Sequence, residues 1–151
     1  MLNKLGNKFW WRIPQVLRIR LIRSFQQKFT VSVAAIVTNE NKEVLVLDHF
    51  FRPKFSWGLP GGFLSSFESP ETGIKRELKE EADIDLEDIS LLKIRTIGTH
   101  IEIFFRAVGK GEARVNSREI RDLGWFSLDS LPKMSDGQRS FLFETLGKKE
   151  V

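Results

Sequence analysis

Residues Gly61 to Ile84 read GGFLSSFESPETGIKRELKEEADI, with three glutamates, Glu77, Glu80 and Glu81, in five positions near the end of a helical pattern. Ser69 followed by Pro70 marks the helix start, because a serine hydroxyl caps free amides and a proline in the first turn forfeits no hydrogen bond. From there the spacing predicts a helix to about Ala82. At about 100° per residue, Ile74, Leu78 and Ala82 form one stripe able to face a core. Glu71, Lys75, Lys79 and Asp83 make an i,i+4 ladder on a neighbouring face, which as a solvated surface requires no function.

The three glutamates share a third face, within about 100° of one another. Arg76 is spaced to pair with Glu80, but Glu77 and Glu81 are a like-charge i,i+4 pair, costing about a few tenths of a kcal/mol on an exposed helix. Surface glutamates can tolerate that repulsion with no function attached. A divalent cation offers the sharper explanation, since carboxylates without thiol or imidazole neighbours suit hard ions such as Mg2+, or Mn2+. The glycines of LPGGF permit close backbone approach, so a carbonyl of Gly61 or Gly62 is a further candidate ligand.

From Gly62 the spacing runs five residues to Glu68 and seven more to Arg76-Glu77-Leu78-Lys79-Glu80-Glu81-Ala82-Asp83-Ile84. It resembles the Nudix box, Gly-x5-Glu-x7-Arg-Glu-U-x-Glu-Glu-x-Gly-U, where U is a bulky aliphatic residue. Every fixed position matches except the last glycine, where Asp83 stands. WGLPGG before the box and WFSLDSLP at Trp125 to Pro132 are also similar to Nudix sequence, so the resemblance covers roughly Phe29 to Phe143.

The resemblance implies an α/β fold, an α/β/α sandwich around a mixed β-sheet, with a Nudix domain over residues 29–147 and a tail over 148–151. It implies metal-dependent hydrolysis of a nucleoside diphosphate linked to another group, such as a nucleotide sugar or a nucleoside triphosphate. Mg2+ is the implied cofactor. Carried over position by position, Glu77, Glu80 and Glu81 become metal ligands together with the carbonyl of Gly62, and Glu68 and Arg76 become a supporting ion pair. The general base stays open between Glu77, Glu81 and Glu119, the last lying in NSREIRDLGWF. Glu119 read blandly is a solvated loop charge balanced by Arg118 and Arg121. Aspartate tolerates the left-handed backbone better than most residues, so Asp83 is expected to preserve the turn with slight strain.

A box that handles metal and pyrophosphate leaves the rest of the substrate to other residues. His49, Phe50, Phe51, Arg52, Phe55, Trp57, Phe63 and His100 are candidates, with Arg52 able to hold phosphate and Trp57 or Phe63 able to stack on a base. The chain has no tyrosine, and no proline between Pro70 and Pro132. In the family those absences weigh against the subgroups marked by such residues, which prefer dinucleoside polyphosphates and ADP-ribose.

The remaining sequence sets the frame. A chain of 151 residues is about one domain, and without cysteine it has neither disulfides nor a thiolate zinc site. Its longest apolar run, Val33 to Val37, is far short of the roughly 20 residues needed to span a bilayer, and the first residues lack a secretory h-region. A cytoplasmic protein with a small nucleotide-type substrate is expected, and a homodimer is compatible. Phe29 to Thr38 and Glu43 to Phe50 read as a hairpin, Ser90 to His100 and Ile101 to Gly109 as a second pair, Asp122 to Leu128 as a further strand, and Ser135 to Gly147 as a closing helix.

Residues 1–28 form a basic extension, expected to be helical over Ile13 to Phe25. Seven lysines and arginines precede Glu40 with no acid among them, which leaves −3 of the net +4 for the rest of the chain. The favoured reading packs Val16, Leu17, Leu21 and Phe25 against the domain. The lesser one lays the helix on a membrane or a nucleic acid. Two alternatives to the hydrolase thus stand: a Nudix-like nucleotide-binding or sensor module, and a peripheral membrane or nucleic-acid-associated protein.

Overall fold

The computed structural model describes residues 10–52 and 54–147. The expected tail at 148–151 and the first nine residues of the expected extension lie outside the described residues. Helix α1 (Gln15–Ser24) is followed by β1 (Thr30–Thr38), β2 (Val44–His49), β3 (Trp57–Gly58), β4 (Gly61–Phe63), α2 (Pro70–Ala82), β5 (Asp85–Ile97), β6 (His100–Lys110), β7 (Ile120–Phe126) and α3 (Asp136–Leu146).

Strand β1 organises the sheet, running parallel to β6 along its whole length and antiparallel to β4 at Ser32 to Ala34. Its alternation sorts side chains between two cores. Val33, Ala35 and Val37 join Ile74, Leu78 and Ala82 of α2, while Ile36 joins Leu142 of α3 with Val44, Val46 and Leu59. The result is a mixed sheet with a helix on each side, the sandwich expected from the sequence.

The first hairpin turns where expected: Asn39 Oδ1 accepts from the amides of Asn41 and Glu43 at 3.0 and 2.9 Å. Its strands then diverge. Cα partnership between β1 and β2 is confined to Thr38 and Val44, and β2 instead pairs with β7 and β3. This divergence lets β4, which leads into the box helix, take the place beside β1 that β2 would otherwise fill. β5 begins at Asp85, directly after the box, earlier than the strand read from Ser90.

The helix of the box has the predicted ends. Ser69 Oγ accepts from Thr72 N at 3.2 Å, Pro70 opens the first turn, and Asp83 ends the helix in the left-handed region at φ 52°, its amide donating to Lys79 O. The N-terminal expectation is corrected. α1 forms, but it buries nothing: Val16, Leu17, Leu21 and Phe25 are all exposed, Phe25 at 88%.

Candidate active site

The C-terminal turns of α2 face a cleft of about 490 Å³ lined by Gly61, Gly62, Phe63, Glu77, Glu80, Glu81, His49, Phe51, Arg52, Ser117 and Glu119. Five chain segments meet there, because β4, α2, the end of β2, the loop after β2 and the loop before β7 converge on one side of the sheet.

The three box glutamates occupy three different environments. Glu80 is exposed, Glu77 half-buried, and Glu81 only 7% exposed, its Oε2 accepting from Gly61 N at 2.9 Å. Burial, reinforced by the nearby Glu77 carboxylate, pushes the Glu81 carboxyl up to about 8 despite that hydrogen bond. Glu77 is also raised by burial, against the pull of Arg76.

The glycines are required by contact as much as by conformation. Gly61 has φ 140°, and a Cβ there would lie 2.1 Å from Val33 O. A Cβ on Gly62 would stand 2.6 Å from the carboxylate atoms of Glu77, so a larger residue there would displace the acid from its place beside the strand.

Arg76 and Glu68 pair as expected, through Nε to Oε1 at 2.8 Å and Nη2 to Oε2 at 3.1 Å. The same guanidinium donates to Phe63 O at 3.2 Å, and its Nη1 donates to Glu77 and Glu80 at 2.9 and 3.1 Å. One cation thereby fastens the loop between β4 and α2 to two of the acids. It also relieves the repulsion that made the cluster conspicuous in the sequence.

Of the expected substrate contacts, Arg52 and Phe63 line the cleft and Trp57 does not. Trp57 packs edge-on against Phe126 at 5.6 Å and joins the core beside α3. Burial lowers the pKa of the Arg52 guanidinium against the favourable field of Glu81, and among the described residues its side chain makes no hydrogen bond or ion pair, while its backbone amide donates to His49 O at 3.5 Å. Phe51 also reaches the cleft, whereas the His100 ring hydrogen-bonds to Thr30 and Ser32 on the adjoining strand β1.

His49 proves closer to the centre than its sequence context suggested: its Nδ1 lies 3.8 Å from Glu81 Oε1, and burial with Arg52 nearby drives its pKa down to about 4. Glu119 lines the cleft, but the expected balance by Arg121 is corrected, since Arg121 donates to Asp48 at 2.7 Å.

The sequence pointed to Glu119 but not to Ser117, nor to the bonds that fasten their loop to the end of α2. Arg114 N and Asn116 N donate to Ala82 O and Glu81 O at 2.9 and 3.1 Å, and Asn116 Nδ2 donates to Lys79 O at 3.1 Å. These bonds satisfy carbonyls that the end of a helix leaves free. Asp83 adds to the attachment, binding Lys79 Nζ at 3.0 Å and Arg114 Nε at 2.8 Å.

The Asp83 substitution is therefore a test of local structure. Asp83→Gly relieves the left-handed backbone but frees the unfolded chain and removes exposed ion pairs, so a small net change in melting temperature is expected. Turnover is expected to stay within about threefold, because the box acids are set by the helix upstream. A collapse of turnover in a variant of unchanged stability would place Asp83 in contact with metal or substrate.

The donor set fits a hard divalent ion. Glu77, Glu80, Glu81 and Glu119 supply only oxygen, Nη1 of Arg76 already bridges Glu77 and Glu80 as a cation, and Glu81 is a buried acid in want of positive charge. Among the described residues no three acids or histidines are already gathered into a metal-holding group.

A family model described as the NUDIX domain matches residues 28–144. A MutT-like protein of Streptomyces ambofaciens is 32% identical over 104 residues, covering 68% of this chain and 66% of that protein. An ADP-ribose pyrophosphatase of Methanocaldococcus jannaschii is 27% identical over 141 residues, with 89% and 82% covered. Among solved structures, a MutT NUDIX hydrolase from Burkholderia pseudomallei shares 30% identity at a TM-score of 0.67, covering 76% of this chain and 96% of the other. The chain spans less than two thirds of the first curated relatives it matches, 66% of the Streptomyces protein and 22% and 28% of the next two.

Proposed function

This chain belongs to the NUDIX family, and we propose that it is a divalent-metal-dependent hydrolase cleaving the pyrophosphate linkage of a nucleoside diphosphate joined to another group. The observation that carries this reading is the meeting, in one cleft, of four glutamates with the guanidinium of Arg52. Acids suited to a hard cation stand beside a positive group suited to phosphate, the pairing that hydrolysis of a pyrophosphate requires.

Glu77, Glu80 and Glu81, with the carbonyl of Gly62, are the residues that would hold Mg2+ or Mn2+. Bound there, the ion would offset pyrophosphate charge and acidify a water molecule. Arg52 would bind a phosphate oxygen, and Phe51 and Phe63 would offer ring faces to the nucleoside or its substituent. Glu119 is the acid on the cleft's opposite loop, and it would accept the proton of the attacking water. Arg76 with Glu68 would keep the helix and the glycine strand in register.

The M. jannaschii relative's name points to ADP-ribose, while the absence of a proline between Pro70 and Pro132 points away from it. A panel of ADP-ribose, nucleotide sugars, nucleoside triphosphates, oxidised guanine nucleotides and dinucleoside polyphosphates decides between them. Hydrolysis of at least one, abolished by chelator and restored by Mg2+, is expected. Tight binding of one compound without turnover would instead establish the nucleotide-sensor reading, and turnover in excess chelator would overturn the metal requirement.

The metal leaves a signature in stability. Below about pH 6.5 the unfolded chain protonates a histidine that the folded chain keeps neutral down to about 4, so His49 contributes stability that is lost as pH falls. Glu81 acts in the opposite sense. Folded, it keeps its proton to about pH 8, so its contribution is fully present below 4.5 and lost as pH rises through 8. The two slopes oppose each other between 4.5 and 6.5, and above 6.5 Glu81 acts alone.

The metal-free protein is accordingly expected to lose on the order of 1–2 kcal/mol between pH 6.5 and 8.5. Mg2+ should flatten that fall and bind with release of a proton near pH 7. Melting curves and calorimetry in buffers of different ionisation enthalpy measure both effects. A fall of equal size with and without Mg2+ would separate Glu81 from the metal.

A further inference from the structure

We propose that α1 docks on an anionic lipid bilayer, lying in its surface with the apolar residues inserted and the arginines at the headgroups. The inference goes beyond the hydrolase reading and does not depend on it. Its starting point is the failed expectation of packing: within ten residues Val16, Leu17, Ile19, Leu21 and Ile22 are all at least 40% exposed, and Phe25 and Trp11 add 88% and 69%. Contiguous apolar surface of this kind marks an interaction site.

The arrangement points to a bilayer. At about 100° per residue, Leu17, Leu21 and Phe25 follow one another along one side, extended by Ile22 and Ile19, while Arg20 and Arg23 lie opposite with Val16 between them, and Ser24 borders Leu17. Arg18 falls inside the apolar face. Its guanidinium lies 4.6 Å from the centroid of the Trp11 ring, and its buried Nε has no hydrogen-bond partner among the described residues. An indole beside an arginine belongs at the depth where headgroup meets acyl chain.

Charge selects among occupants. No acidic residue precedes Glu40, whereas Arg12, Arg18, Arg20, Arg23 and Lys28 surround or form the helix. A second copy of α1 would bring like charges together with no acid to relieve them. A nucleic acid would meet the arginines but leave the apolar face in water. An anionic bilayer satisfies both, with each basic residue near its surface attracted to the lipid charge.

The test is sedimentation of the full chain with phosphatidylcholine vesicles, with and without about 30% phosphatidylglycerol. Binding at least about tenfold stronger to the anionic vesicles is expected, weakened by salt. Leu21→Glu/Phe25→Glu and Arg20→Glu/Arg23→Glu should each lower it at least about tenfold, with melting temperature unchanged because these side chains are exposed. Three results would each overturn the proposal: no vesicle binding, equal binding to both vesicle types, or a Leu21→Glu/Phe25→Glu variant that binds like the parent. So would a dimer in solution dispersed by that same variant, or single-stranded RNA bound in place of anionic vesicles.

Discussion

Glu81→Gln is expected to reduce Mg2+-dependent turnover by at least about tenfold while leaving the fold intact, because it removes an anionic donor without removing volume. The argument begins with burial. Glu81 is the most buried acid of the cleft, and among the described residues the one hydrogen bond to its carboxylate comes from the amide of Gly61, with His49 Nδ1 at 3.8 Å. A glutamine oxygen can accept that same bond. The neutral side chain also avoids the desolvation that pushes the Glu81 carboxyl up to about 8, so the metal-free variant should melt no lower than the parent at pH 8. Loss of activity with preserved or increased stability is the mark of an acid retained for chemistry. Glu80→Gln should likewise lose at least about tenfold, with less effect on stability because Glu80 is exposed. Undiminished turnover in the Glu81 variant would remove it from the metal site.

The box was legible because local chemistry fixes a helix and its ends. Ser69, Pro70 and the Ile74, Leu78, Ala82 stripe act within four residues of one another, so their meaning survives without knowledge of the rest of the fold. The Glu68–Arg76 pair is eight positions apart, within reach of one loop, and the family spacing supplied it. The parts that were not legible depend on distant chain segments. His49 reaches Glu81 because β2 leaves β1 and pairs with β7, a divergence that alternating β-branched residues do not reveal. Trp57 faces a core because β3 is pinned to β2 beside Met134, whereas its ring, able to stack on a base, suggested a substrate contact. Asn116 carries no sequence signal at all; its function is to receive the helix end, and only the placement of that end discloses it. For α1, periodicity predicted the helix correctly but could not say what it rests against.

Arg76→Ala should combine the two kinds of damage that Glu81→Gln separates. Its guanidinium makes five hydrogen bonds to four residues: Glu68 twice, and Glu77, Glu80 and Phe63 O once each. Truncation leaves Glu77 half-buried beside Glu80 and Glu81 with its nearest cation gone. A loss of about 2 kcal/mol is expected from that uncompensated charge, read as a lower melting temperature. Turnover should fall at least about tenfold, since the loop bearing Gly62 is no longer tied to the helix bearing the acids. Arg76→Lys should restore little, because one ammonium cannot span acceptors on two sides of a planar fork. Metal dependence distinguishes the geometry's two possible consequences. If Arg76 positions the acids, the variant needs more Mg2+ for half-maximal turnover and remains slow at saturation. If Arg76 chiefly competes with metal for Glu77 and Glu80, the variant needs less Mg2+ and reaches the parent's rate. The bonds to Glu68 and Phe63 O decide the expectation, because they tie Arg76 to the glycine loop and do not involve the acids of the helix.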